Sequence, residues 1–157
     1  LNYAKSQGIL NKNFFIKNYF KKKDLPSILN AATMSSSLFI DKPEMRPNSA
    51  NKFFDSLAAG KPIMINYGGW MNELIKSEGC GLSLWKKPIR QAASELDQFM
   101  HNTHLIKSSS DASSKLAKKY FDRDKLAYQL LSVIENTVNG YPEKAERISP
   151  GIYNVKI

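Results

Sequence analysis

The chain has 157 residues, 42% of them apolar, with 23 basic and 14 acidic side chains and a net charge of +9. That is enough for one ordinary domain with a real core, and the balance fits a globular chain better than a disordered one. No run of about 18 apolar residues occurs, which excludes a helical membrane span; the single cysteine, Cys80, excludes an internal disulfide and agrees with a reducing cytosol.

The chain opens on LNYAKSQGIL, which reads as a helix already under way, so a piece of a longer protein is expected. Asn2 to Ser6 is predicted helical, with a turn at Gly8. Asn13 to Lys17 (NFFIK) reads as a strand. Asp24 is placed to cap a helix from Leu25 to Ala32, with Pro26 tolerated in its first turn. Ser36 to Asp41 is the next strand, followed by a polar loop from Lys42 to Ser49. A helix from about Asn51 to Ala59 gathers Phe53, Phe54, Leu57 and Ala58 on one face, and Gly60 and Pro62 end it. Ile63 to Asn66 is a short apolar strand of the kind buried on both faces. Asn66 to Gly69 breaks it, and Trp70 to Ser77 is helical with Met71, Leu74 and Ile75 inward. Gly81 to Trp85 is a further strand. Beyond Pro88 the chain is helical, over Ile89 to His101, Ala112 to Phe121 and Arg123 to Val138. Ser110 or Asp111 is expected to cap the second of these. Residues 139–157 form a tail punctuated by proline and glycine.

Strands and helices that alternate through short loops imply a parallel sheet with right-handed crossovers. The fold class expected is therefore α/β, a Rossmann-like sheet flanked by helices with a helical C-terminal region. Residues 1–138 make the domain and 139–157 the tail. The charge favours anionic partners: nucleotide phosphates, acidic lipid surfaces or nucleic acid. Its densest cluster is Lys17 to Lys23, read with even weight as a solvated loop or a binding patch.

The segment Asn48 to Trp70 (NSANKFFDSLAAGKPIMINYGGW) concentrates the chemistry. A polar helix start and a glycine turn after a strand suggest an anion-binding crevice. Ser49 and Asn51 either cap the helix or donate to a ligand oxygen, and Lys52 adds a cation at the same place. Asp55 lies one turn on, on the same helical face. Gly68 and Gly69 either make a plain turn or let a ligand approach the backbone. His101 and His104 lack a third ligand nearby and read as surface residues. The sequence carries no G-x-G-x-x-G after a strand, no Walker phosphate loop, no zinc-spaced Cys/His set and no nucleophile elbow.

The run NKFFDSLAAGKPIMINYGGWMNELI resembles the nucleotide-sugar-binding segment of retaining, two-Rossmann-domain (GT-B) glycosyltransferases of family 4. The branch in question builds O-antigen and capsule sugars. Lys52, Phe54, Asp55, Ala58, Gly60, Lys61 and Pro62 match the first half of the motif; Gly68, Gly69, Glu73, Leu74 and Ile75 match the second. The resemblance implies half of a GT-B fold whose donor is a nucleoside diphosphate sugar, UDP-linked, and whose acceptor is a glycan or lipid-linked. It implies the diphosphate near Ser49, Asn51 and Lys52, and the ribose hydroxyls on Asp55, where the family usually has glutamate. The family's second glutamate would fall on Pro47, so Glu44, Arg46 and Asn48 are the candidates for the donor sugar. Asn18 and Tyr19 follow the first predicted strand, where the base is often seated. The family's basic Arg/Lys pair and its catalytic histidine would lie outside this chain, so the fragment alone is expected to be inactive. Neither a metal nor any other cofactor is expected. The resemblance also implies a cytoplasmic protein, with the inner membrane face as a place of peripheral association and no nucleic-acid partner. The alternative is a non-catalytic basic α/β module for nucleic acid or a protein.

Overall fold

The computed structural model describes residues 1–45 and 48–141. Its elements run α1 (Asn2–Ser6), α2 (Leu25–Ala31), β1 (Ser35–Ser37), α3 (Asn51–Ala58), β2 (Ile63–Ile65), α4 (Trp70–Glu78), β3 (Gly81–Ser83), α5 (Ile89–His101), α6 (Thr103–Tyr120) and α7 (Arg123–Val138). Single 3-10 turns sit at Lys22–Asp24 and Pro43–Met45. The three strands form one parallel sheet in the order β1-β2-β3, with Ser35 opposite Ile63 and Ile63 opposite Gly81. The chain is thus α/β, with helices flanking a parallel sheet. Among the described residues no helix is long and apolar enough to cross a membrane.

The core lies where α3 and α4 meet the sheet. Phe53 and Leu57, four apart on α3, are fully buried, as are Ile63 and Ile65 of β2. Met71, Leu74 and Ile75 supply the inward stripe of α4. The small Ser56 lets α3 sit close to β1, where its hydroxyl bonds that of Ser35. Leu116 of α6 joins the same core, and Ser113 donates to the Cys80 carbonyl at 3.1 Å, tying α6 to the entry of β3.

Four expectations need correction. Asn13 to Lys17 is not a strand, so the sheet has three strands and not four. Only a bridge between Leu10 and Phe14 forms. The segment closes on itself, with the N–H groups of Asn13 and Phe14 both returning to the Ile9 carbonyl. It therefore has no neighbour with which to build a ladder.

The second strand is Ser35–Ser37, not Ser36 to Asp41. Beyond Ser37 the side chain of Asn66 takes over the role of a neighbouring peptide. Its Oδ1 accepts from the Phe39 N–H and its Nδ2 donates to the Phe39 carbonyl, each at 2.9 Å.

Helix α6 begins at Thr103, nine residues before the expected Ala112. Asn102 caps it by accepting from the Leu105 N–H, so neither Ser110 nor Asp111 is a cap. The serines stay helical by bonding back to the preceding turn, Ser108 to Leu105 and Ser110 to Ile106.

Asp24 does occupy the N-cap position of α2, but its side chain makes no cap hydrogen bond.

Candidate functional site

Two helices start beside each other beyond the C-terminal ends of the strands. α4 follows β2 after only Asn66–Gly69, and α3 follows β1 after a longer loop. The ring of Trp70, the first residue of α4, lies 5.9 Å from Phe53 and 6.0 Å from Phe54 in the first turn of α3. Phe121 completes this cluster, 5.0 Å from Phe54. The two helix starts are thus joined by aromatic packing.

Neither start carries a side-chain cap. The N-cap of α3 is Ala50, which corrects the expectation that Ser49 or Asn51 caps it. Asn51 is the first helical residue and Ser49 lies outside the helix. The N-cap of α4 is Gly69, at φ 90° and ψ −169°. That φ suits glycine alone, and it turns the chain from strand into helix. An uncapped first turn leaves N–H groups without a side-chain partner at the positive end of the helix dipole, an arrangement that favours an anion.

Asn51, Lys52 and Asp55 are exposed while Phe53, Ser56 and Leu57 are buried. One face of α3 therefore carries the three predicted polar residues. Asp55 also lines a cavity of about 420 Å³ between α2 and α3, with Lys22, Leu25, Pro26, Leu29 and Ala58 among its walls. Lys22 was not foreseen there. Lys61 fastens the far end of this cleft by donating to the Asn30 carbonyl at 3.0 Å.

The remaining predicted residues are placed as follows. Gly68 is buried, and a Cβ on it would fall 2.7 Å from Cε2 of Trp85. The indole packs against this position, so its small size has a reason inside the protein. Glu44 is exposed in the Pro43–Met45 turn, and Asn48 is partly buried, its N–H donating to the Met45 carbonyl at 3.4 Å. Arg46 and Pro47 lie outside the described residues. Asn18 and Tyr19 are exposed in an irregular segment, Tyr19 at 91%, so there is no strand end there to seat a base. His101 is exposed on α5 and bonds the Asp97 carbonyl.

Sequence reasoning missed Asn66 and a partly buried polar link between β3 and α4. Ser83 of β3 donates to Asn72 of α4, and Asn72 donates on to Glu73 at 2.5 Å. An asparagine straight after a buried strand was the available signal for Asn66. Burial raises the Tyr67 phenol above its usual range, while the Ser37 hydroxyl works against the rise. Burial likewise pushes the Cys80 thiol up to about 12, with Glu78 adding to it. Comparison with family models, curated proteins and solved structures finds no match for this chain.

Proposed function

We propose that this chain is the donor-binding domain of a retaining GT-B glycosyltransferase, which transfers a sugar from a UDP-linked donor to a glycan or lipid-linked acceptor of the cell surface. One observation carries the reading. The uncapped start of α3 presents Asn51, Lys52 and Asp55 on a single exposed face, next to the equally uncapped start of α4. The motif NKFFDSLAAGKP supports it from the sequence side.

In this reading the diphosphate sits at the α3 start, with Lys52 beside it. Asp55 accepts from the ribose hydroxyls, which suits a carboxylate because it can accept from both. As the glycosidic bond breaks, negative charge grows on the departing diphosphate. Preorganised N–H groups, the helix dipole and a lysine offset that charge without reorganising. Glu44, Arg46 and Asn48 stay candidates for the donor sugar.

Titration calorimetry with UDP, uridine and single-stranded RNA tests the proposal. UDP is expected to bind more tightly than uridine, and Lys52→Ala to weaken UDP by roughly tenfold or more. Binding of RNA with no binding of UDP would replace this reading by that of a non-catalytic basic module.

A further inference from the structure

The first twenty-three residues hold six lysines and no acidic residue. Five of the lysines fall between Lys12 and Lys23, in a stretch that is exposed throughout. Within that stretch Phe15 and Ile16 are each 55% exposed and Phe14 45%. From Phe15 to Lys21 the backbone is neither helix nor strand. Contiguous apolar side chains left in water mark a contact surface when polar residues rim them. Every charged residue between positions 12 and 23 is positive.

The chemistry of this rim selects the partner. Lysine side chains lay their hydrocarbon stems along apolar surface while the ammonium stays in the polar layer. The ammonium of Lys17 lies 5.6 Å from the centre of the Phe15 ring, so cation and ring reach any partner side by side. Aromatic and aliphatic groups at the acyl boundary, with lysines among the phosphates, is how a peripheral segment holds to a bilayer. Single-stranded nucleic acid asks for something else: ring faces spaced for stacking along a basic groove. Phe14-Phe15-Ile16 offers a continuous run of hydrocarbon instead, and the exposed Tyr19 and Phe20 add rings of the kind that sit at the headgroup level of a bilayer.

We propose that residues 12–23 are a membrane-surface contact for a bilayer rich in anionic phospholipid. The aromatic and aliphatic side chains enter the acyl boundary and the lysines engage the headgroup phosphates. Apart from Lys22, which also lines the cavity beside Asp55, its residues are not those of the candidate donor site, and the contact stands whether or not the chain binds UDP.

The test is co-sedimentation of the full chain with vesicles of phosphatidylcholine, alone or mixed with phosphatidylglycerol. Partition into the mixed vesicles is expected, falling with salt, and little into the neutral ones. A surface lysine contributes roughly fivefold, so Lys17→Ser/Lys21→Ser/Lys23→Ser lowers partition by about a hundredfold. Phe15→Ser/Ile16→Ser lowers it by roughly tenfold or more through lost apolar burial. In a Phe15→Trp variant, brominated lipid quenches the added fluorescence. All the substituted side chains are exposed, and unchanged far-ultraviolet circular dichroism verifies the fold of each variant. Three results overturn the proposal: equal partition into both vesicle types, full binding by Phe15→Ser/Ile16→Ser with no quenching at Phe15→Trp, or displacement of the vesicles by single-stranded RNA.

Discussion

A methyl group added at Gly68 has no room. Built on the backbone, it lies 2.7 Å from Cε2, 2.8 Å from Nε1 and 3.1 Å from Cζ2 of Trp85. Carbon atoms prefer about 3.5–4.0 Å, so in Gly68→Ala the indole must retreat by roughly an ångström. Trp85 is only partly buried, which allows that movement without breaking the core. Overpacking of this kind costs about 1–3 kcal/mol. Gly68 is not among the glycines with positive φ, so alanine fits the backbone there and recovers about 0.4–1 kcal/mol through the unfolded chain. The expected net loss is roughly 1–2 kcal/mol. For a chain of this length that lowers the melting temperature by roughly 2–8 °C. Thermal denaturation followed by circular dichroism measures it. The decisive comparison is a cycle with Trp85→Ala, in which the cost at position 68 should vanish because the ring is gone. If Gly68→Ala melts like the parent, or costs as much without the indole, Trp85 does not exclude the methyl. An unchanged melt with lost UDP binding would instead assign Gly68 to the ligand.

Four further outcomes are expected. Lys52→Ala should weaken UDP by roughly tenfold or more and leave uridine nearly unchanged, since only the phosphates feel that charge; calorimetry with both ligands reads the difference. Asp55→Ala should lose roughly tenfold or more for UDP but hardly change the 2′,3′-dideoxy analogue, with Asp55→Glu retaining binding; equal loss for both ligands would make Asp55 structural. Asn66→Ala should cost about 1–3 kcal/mol in urea denaturation, because it removes both partly buried bonds to Phe39. Cys80 should resist iodoacetamide in the native protein at mild alkaline pH and react in urea. Burial pushes its thiol up to about 12 when folded, against about 8.5 when unfolded, so its contribution to stability is constant below that lower value and falls as pH rises between the two.

Local rules located most elements because each of them has its own punctuation. The α4 stripe follows from apolar spacing, and Asn51 as the first residue of α3 from the polar start before Phe53; of the α3 stripe Phe53 and Leu57 are buried and Phe54 partly so, whereas Ala58 is exposed and Ser56 takes the inward place against β1. α5 and α7 run over the bounds expected of them. What local rules missed depended on partners distant in sequence. Phe14-Phe15-Ile16 has the composition of a strand, but a strand exists only when another lies beside it. The start of α6 was hidden by serines that favour caps in isolation. In place, Ser109 and Ser113 are fully buried and their small size lets the helix pack closely. The candidate site divides the same way. The exposed face of Asn51, Lys52 and Asp55 follows from helical period alone. The absence of a side-chain cap, and the cavity that Asp55 shares with Lys22, needed the fold.

The Gly-Gly turn acts on the site by placement. Asn66 binds Phe39 through its carboxamide, and the Phe39 ring lies 4.7 Å from that of Tyr67, so the chain leaving β1 is held to the segment that leaves β2. Two residues on, Gly68 admits the Trp85 indole, and Gly69 turns the backbone so that Trp70 opens α4 against Phe53 and Phe54. The segment Asn66–Trp70 therefore touches the exit of β1, the region beyond β3 and the first turn of α3. Each of its residues has a partner or a backbone constraint within the protein, which accounts for the composition NYGGW without any ligand. In the proposed donor site the contacts with phosphate and ribose accordingly fall to α3, whose exposed polar face is not required by the packing of its buried one.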